Sequence, residues 1–207
     1  MATWTTRHGS RAEGRAWSSL ALALAVACGS SSSGVPQDST GGQSSGPMLP
    51  IPASLWRPPA GATPATGSYV YVEMDAGFTV GVTYPRVVTP ATGSVGVTAE
   101  GGALSVAATD TVVGLALRGV FNTMIGHPRL DEGYYHDLRG IADADPLRGS
   151  LDVTLNSRGC APVTGWFVVD HVFYFNGRLT AMDLRFEQRC PGFGPMHGQV
   201  HWTENLT

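Results

Sequence analysis

Three charged residues, Asp183, Arg185 and Glu187, alternate along a β-type stretch that follows an Asn-Gly pair at residues 176–177. Successive side chains of a strand point to opposite faces, so these three charges are expected on one face of a sheet. An Asn-Gly pair between two β-type stretches predicts a tight hairpin, and its register places Asp170 directly opposite Asp183. Because like charges that face each other are unfavourable, a positive charge or open solvent is expected beside the two carboxylates.

Three partners could satisfy this pair of aspartates. Arg185 lies diagonal to Asp170 and next to Asp183 on the same face, solvent could screen both, or a Ca²⁺ ion could bind between them. Calcium takes about six or more oxygen ligands, whereas this face supplies two or three carboxylates. We therefore predict the outer face of a sheet, bridged by Arg185 or solvated, and we assign no metal ligand and no cofactor, with calcium kept as the alternative.

Paired carboxylates also hydrolyse glycosidic bonds, which makes Asp170, Asp183 and Glu187 candidates for a polysaccharide-acting hydrolase. Side chains directly opposite each other on neighbouring strands lie closer together than the two carboxylates of glycosidases. The flanking sequence also carries no hydrolase motif. We therefore predict no catalytic residue, and a hydrolase is the least favoured hypothesis.

A second candidate site lies in residues 126–138, GHPRLDEGYYHDL. Tyr134 and Tyr135 accompany Arg129 there, and aromatic faces mixed with polar groups are typical of sites that bind sugars or peptides. The alternative is that the two tyrosines are half-buried packing residues. The candidate ligand-binding residues are therefore Arg129, Tyr134, Tyr135, Asp170, Asp183, Arg185 and Glu187.

The opposite face of the hairpin is predicted to belong to the core, since apolar side chains recur there at every other position. The residues of this face are Phe167, Val169, His171, Phe173 and Phe175 on the first strand, and Met182, Leu184 and Phe186 on the second.

After Gly67 the chain consists of short β-branched and aromatic stretches separated by Gly, Pro, Asn and Asp. Closely spaced strands of this kind favour an all-β fold over residues 67–207, either an antiparallel β-sandwich of jelly-roll type or a flattened barrel. Only residues 119–126 and 134–141 could hold a helical turn. The predicted strands are 69–75, 78–84, 94–100, 103–109, 112–119, 151–156, 165–175, 178–188 and 197–202.

The N-terminus has the pattern of an export signal. Three arginines precede an apolar run, residues 17–27, that is too short to span a membrane and ends in LALAVAC at Cys28. This ending resembles the lipobox of bacterial lipoproteins. The resemblance implies a signal peptide over residues 1–27, a lipid attached to Cys28 and, because Gly29 rather than Asp follows, retention in the outer membrane of a diderm bacterium. Ordinary signal cleavage beside a coincidental cysteine is the alternative.

Residues 28–66 are dominated by Ser, Gly, Pro and Thr and are predicted to form a disordered tether. Its apolar residues Leu49, Ile51, Leu55 and Trp56 could dock on the domain, but we expect them to be unengaged. Of 13 basic and 16 acidic residues in the chain, three arginines and one glutamate lie in residues 1–27. The mature chain would thus carry five more acidic than basic residues, which does not favour nucleic acid as a partner.

If Cys28 is lipidated, Cys160 and Cys190 remain, and in an oxidising compartment such a pair usually closes into a disulfide; two free thiols are the alternative. From about residue 68 to 202 the chain also resembles a secreted β-rich domain that recurs in bacterial extracellular proteins. The resemblance rests on GYY followed by DL (133–138), SRGC (157–160), GWFVVDHVFY (165–174), DLRFEQRC (183–190) and PMHGQVHW (195–202). It implies export, the same domain boundary and the Cys160–Cys190 bridge, but it lends no activity and no catalytic residue.

Taken together, these features predict a cell-envelope lipoprotein that presents a non-catalytic binding or adhesion domain, with a glycan as the first ligand class to test. A structural module that contacts other envelope proteins is the alternative function.

Overall fold

The β-branched and aromatic stretches form ten strands in the computed structural model of the chain, which describes residues 49–74 and 83–204. A single turn of 3₁₀ helix, Ile141–Asp143, interrupts them. The strands are β1 (Tyr69–Met74), β2 (Arg86–Val88), β3 (Gly93–Glu100), β4 (Ala103–Asp110), β5 (Leu115–Asn122), β6 (Gly133–Arg139), β7 (Ser150–Leu155), β8 (Thr164–Phe175), β9 (Arg178–Arg189) and β10 (Met196–Thr203).

All ten strands belong to one sheet, in the order β2-β1-β10-β9-β8-β6-β7-β5-β4-β3. Neighbours are antiparallel except β6 and β7, which meet in parallel at the single pair Arg139–Ser150. The two ends of the sheet approach each other, and Arg86 of β2 donates to the buried Asp110 of β4 at 2.9 Å. The sheet is therefore a nearly closed barrel, which confirms the all-β prediction and selects the barrel from its two alternatives.

The core fills the inside of the barrel. Phe121 lies 5.5 Å, between ring centroids, from both Phe167 and Phe186. Gly198 of β10 is required at this point, because a Cβ atom there would collide with the ring of Phe186. Aromatic rings from β5, β8 and β9 thus meet across the barrel and fix how closely its walls approach.

The two segments that could have held helical turns, residues 119–126 and 134–141, contain strands instead, and the 3₁₀ turn begins only at the last residue of the second. Residues 119–122 complete β5, and residues 133–139 form β6. The pairing of β6 with β8 shifts between Tyr135 and Leu138, and Asp137 within this bulge has a φ of 52°. A bulge interrupts the alternation of a strand, which is why this sequence did not look like one.

The β8–β9 hairpin has the predicted Asn-Gly turn, with positive φ at both residues. The register that follows from this turn also predicts the pairs Val168–Arg185 and Trp166–Glu187, and both are confirmed. The predicted pair Asp170–Asp183 is wrong, because a bulge between Val169 and His171 places His171 opposite Asp183. Asp170 is the extra residue of this bulge and has no partner in the ladder.

The bulge also reverses which side chains of β8 face the core. Beyond it Val172 and Tyr174 pack inward, whereas His171, Phe173 and Phe175 point outward. Phe173 and Phe175 are 62 % and 68 % exposed, so the prediction that these three residues belong to the core is wrong. The remaining predicted core residues of the hairpin, from Phe167 to Phe186, are buried as expected.

Two connections tie the end of β9 to β7 and to the loop that follows β7. The buried amide of Gln188 accepts a hydrogen bond from Val153 N at 2.7 Å and donates to Val153 O at 2.9 Å. Just after β9, Cys190 forms the predicted disulfide with Cys160, at a Cα–Cα distance of 5.7 Å. Closing a loop of this length stabilises a fold by roughly 3 to 4 kcal/mol in the chain-entropy view.

Residues 49–67, called the strap below, lie on the outer face of the barrel although all but the last of them belong to the predicted tether. The strap begins with a backbone bridge from Leu49 to Tyr134 on β6. Its Trp56 donates from Nε1 to Glu73 on β1 and stacks on His197 of β10 at 4.9 Å. The expectation that Trp56 is unengaged is therefore wrong, while residues 28–48 lie outside the described residues.

No helix in residues 49–74 or 83–204 is long and apolar enough to cross a bilayer. Residues 1–27, with the predicted signal peptide, and most of the predicted strand at 78–84 also lie outside the described ranges.

Candidate binding cleft

Arg185 occupies the centre of the predicted charged row, and it is buried rather than solvated. It is 1 % exposed, and it forms a two-pronged ion pair with Asp170 through Nε at 2.6 Å and Nη2 at 2.8 Å. Its Nη1 donates to the backbone carbonyl of Trp56, so the strap covers the pair. Arg185 and Asp170 are therefore fully engaged in holding the strap to β8 and β9.

Asp183 does not join this pair. Its carboxylate accepts a hydrogen bond from His201 Nδ1 at 2.6 Å, and Tyr69 stacks on the His201 ring at 5.4 Å. The predicted bridge by Arg185 thus forms with Asp170 alone, because the bulge has separated the two aspartates.

Glu187 is the third charge of the row and belongs to a chain of hydrogen bonds that runs beneath the strap. Its Oε2 accepts from His197 Nε2 at 2.9 Å, and its Oε1 accepts from Arg189 Nε at 2.6 Å. These hydrogen bonds, the one from His197 first, lower the pKa of Glu187 although its burial opposes them. Glu187 therefore stays ionised at neutral pH.

The hydrogen-bonded network continues through His197 to β1. The Nδ1 atom of His197 lies 3.7 Å from Glu73 Oε1, and the hydroxyl of Tyr71 donates to Glu73 Oε2 at 2.6 Å. Burial, followed by the contact with Glu73, raises the pKa of Tyr71, which keeps its phenol protonated as the donor. Side chains of β1, β10 and β9 thus form one polar network, to which Trp56 adds its hydrogen bond to Glu73.

Beside this network an open cleft of about 310 Å³ lies over β6, β8 and β9. Glu187 belongs to both the hydrogen-bonded network and the cleft, since its side chain also lines the cleft. Two aromatic residues and four charged ones define the cleft: Tyr134, Trp166, Asp137, Arg139, Glu187 and Arg189. Its volume is at the lower end of the range for small-ligand sites.

The aromatic part of the cleft comes from neighbouring strands. Tyr134 meets Trp166 edge to face at 6.3 Å between ring centroids, and on its other side stacks with His136 at 5.4 Å. Burial raises the pKa of Tyr134, and the negative charges of Asp137 and Glu187 add to this effect. Tyr134 therefore presents a neutral phenol that can donate and accept hydrogen bonds.

The other two residues predicted with Tyr134 do not join it. Tyr135 points into the barrel, stacks on Phe167 at 4.3 Å and donates its hydroxyl to the carbonyl of Asp131, so it is a core residue. Arg129 lies over the ring of Tyr174 at 5.2 Å and lines a different pocket of about 190 Å³. The structure thus retains Tyr134 and Glu187 from the predicted set for the cleft.

The sequence reasoning missed seven of the nine residues that line the cleft, among them Trp166, Arg139, Thr164 and Arg189. Trp166 could have been found, because the predicted register already placed it opposite Glu187. Arg139 could not, because its strand was taken for a possible helical turn. Thr164 and Arg189 form the last pair of the β8–β9 ladder, one residue beyond the predicted ends of both strands.

Within the described part of the chain, no group of three or more His, Cys, Asp or Glu side chains is arranged to hold a metal ion. Comparisons of the chain with protein-family models, with curated proteins and with solved structures find no match.

Proposed function

We propose that this chain is an exported lipoprotein, anchored to the outer membrane through Cys28, whose barrel binds a glycan in the cleft at Tyr134 and Trp166 without catalysing a reaction. The observation that carries the proposal is the cleft itself, which the half-buried Tyr134, the largely buried Trp166 and four charged side chains line together. Sugar rings pack their C–H faces on aromatic side chains while their hydroxyls take hydrogen bonds from neighbouring polar groups. The cleft offers both kinds of contact.

The state of the carboxylates favours binding over hydrolysis. A glycosidase needs one carboxylic acid that is protonated near neutral pH and gives its proton to the leaving oxygen. The pKa of Glu187 is lowered, and that of Asp137 is lowered as well, first by its hydrogen bond with His136. Neither carboxyl group of the cleft is therefore suited to act as the acid.

A binding module for other envelope proteins is the second candidate. The observation that favours it is the pair of exposed rings on the β8–β9 hairpin, Phe173 and Phe175, which lie beside its turn. Exposed aromatic residues are enriched in protein interfaces.

The test of the first candidate is a glycan array probed with the full-length chain purified in mild detergent. We expect a subset of glycans to be retained, and we expect Tyr134→Ala to weaken their binding about tenfold, since an aromatic contact contributes about 1 to 2 kcal/mol. The backbone bridge from Tyr134 to Leu49 does not depend on the side chain, so the strap should remain in place.

Phe173→Ala is the matched control, because it removes an exposed ring outside the cleft. Glycan binding that responds to Phe173→Ala and not to Tyr134→Ala would contradict the assignment of the cleft. Retention of no glycan at all would remove the proposal and leave the protein-binding alternative.

A further inference from the structure

Two arginines flank a threonine in a single row at one end of the cleft. Arg139 of β6 pairs with Thr164 of β8, and Thr164 pairs with Arg189 of β9. Residues that are directly paired across neighbouring strands point to the same face, and all three are exposed. Strands lie about 4.8 Å apart, so the two arginine backbones are about 10 Å apart with a hydroxyl between them.

The positive charge of this row is available to a ligand. The side chain of Arg139 has no hydrogen bond or ion pair among the residues that the structure describes. Arg189 uses Nε for Glu187, while its two terminal nitrogens have no partner in the same described ranges. Both guanidinium groups can therefore donate further hydrogen bonds into the open cleft.

The two carboxylates of the cleft, by contrast, already have donors. Glu187 accepts from His197 and Arg189, as described above. Asp137 accepts from Arg148 Nη1 at 2.7 Å and lies 2.9 Å from His136 Nδ1. The two carboxylates and the two guanidinium groups of the cleft balance in formal charge. The hydrogen-bond donors that remain available to a ligand, however, belong to the two arginines.

We infer that the cleft selects acidic glycans, with the carboxylate of a uronic acid held between Arg139 and Arg189 beside the Thr164 hydroxyl. This inference rests on the proposed glycan-binding function and narrows its ligand class. Guanidinium groups match carboxylates with paired, charge-assisted hydrogen bonds, which are stronger than those between neutral groups. Tyr134 and Trp166 line the same cleft and would contact the sugar ring.

The test compares each acidic oligosaccharide with a neutral form of the same sugar. Oligosaccharides of polygalacturonate, alginate and hyaluronate are titrated calorimetrically against the full-length chain, beside their carboxyl-reduced counterparts. We expect at least one acidic form to bind about tenfold or more tightly than its reduced form, the effect of one charge-assisted hydrogen bond. Added salt should weaken binding of the acidic form more than that of the reduced form.

The variant that tests the site is Arg139→Gln, because Arg139 is exposed and its side chain makes no described contact that the fold would lose. It should weaken acidic binding about tenfold and leave the reduced sugar unchanged. Arg118→Gln on β5 is the matched control, since it removes an exposed arginine outside the cleft and should change neither.

A sulfate ester offers the same chemistry as a carboxylate, so dextran sulfate and dextran form a separate arm. Binding of dextran sulfate that depends on Arg139 would support anion selection and name sulfate as the anion. Equal binding of acidic and neutral forms, or an Arg139→Gln variant that binds like the wild type, would overturn the inference and leave glycan binding intact. Absence of binding to every saccharide, acidic and neutral, would overturn both this inference and the proposed glycan-binding function.

Discussion

Glu187 connects the hydrogen-bonded network under the strap with the open cleft. Its two oxygens take hydrogen bonds from His197 and Arg189, and the side chain is almost completely buried. A buried carboxylate is stable only when such donors are in place, because burial alone favours its protonated form. The ionised state of this one residue is therefore linked to the stability of the surrounding fold.

This linkage makes a prediction about acid. The pKa of Glu187 is lower in the folded chain than in the unfolded chain, so its contribution is complete above the unfolded value, near 4.5. The contribution is lost as the pH falls through the folded pKa. We expect Glu187→Gln to reduce the free energy of unfolding by about 1 to 2 kcal/mol at neutral pH and by much less in acid. Urea denaturation across this pH range measures the difference.

Glu100→Gln is the control for this comparison, since Glu100 is exposed at the end of β3. It should leave the free energy of unfolding unchanged at every pH. A Glu187→Gln variant whose loss of stability is the same in acid as at neutral pH would show that the hydrogen bonds to the carboxylate do not cause the effect.

The charged row also shows how far single residues could be predicted. Its place on the outer face of the sheet followed from alternation, which is local, whereas Arg185 was only one of three partners expected for an aspartate pair that the bulge separates. The burial of the row did not follow from alternation, because the strap that covers Arg185 comes from a segment rich in Ser, Gly and Pro. Average composition indicates a tether there and cannot show that Trp56 docks.

Among the elements, the hairpin was predictable and its bulge was not. The turn depends on two adjacent residues, Asn176 and Gly177, whose preference for positive φ is intrinsic. The bulge at Asp170 is accompanied by the ion pair with Arg185 and by contact with a strap more than a hundred residues earlier in sequence. Such a bulge depends on non-local contacts, so alternation alone misplaced Phe173 and Phe175.

The strap is an element whose docking can be measured. Trp56→Ala removes the stacking on His197 and the hydrogen bond to Glu73, and it should lower the free energy of unfolding by about 2 to 3 kcal/mol. Trp56→Phe keeps an aromatic ring and loses the indole donor, so its loss should be nearer 1 kcal/mol. Chemical denaturation of the full-length chain compares the two variants with the wild type.

Hydrogen exchange tests whether the effect of Trp56→Ala is centred on the strap. In Trp56→Ala, amides of the strap should lose protection through local opening, whereas those of β4 and β5 should lose no more protection than the fall in the free energy of global unfolding. Equal stability of the Ala variant and the wild type would mean that the strap adds nothing to the fold.

For the whole molecule, the all-β class and the disulfide followed from the sequence, but the strand order did not. Alternation and turn residues report on neighbours along the chain, whereas the ladder β8-β6-β7-β5 joins strands that are distant in sequence. The cleft depends on that order, because Arg139, Thr164 and Arg189 meet only when β6 lies beside β8. This is why the site was found only in part from the sequence.

The proposed lipid anchor makes the last prediction. Cys28 is expected to carry the lipid, whereas Cys160 and Cys190 are joined to each other, so Cys28→Ser removes the anchor without opening the disulfide. Acyl chains buried in a bilayer hold a protein at the membrane, and a barrel without them has no such attachment. In a bacterial host, the wild-type chain should sediment with membranes and the variant should be recovered in the soluble fraction. Gly29→Ser, which keeps Cys28, should still sediment, and a Cys28→Ser chain that stays in the membrane fraction would refute the anchor.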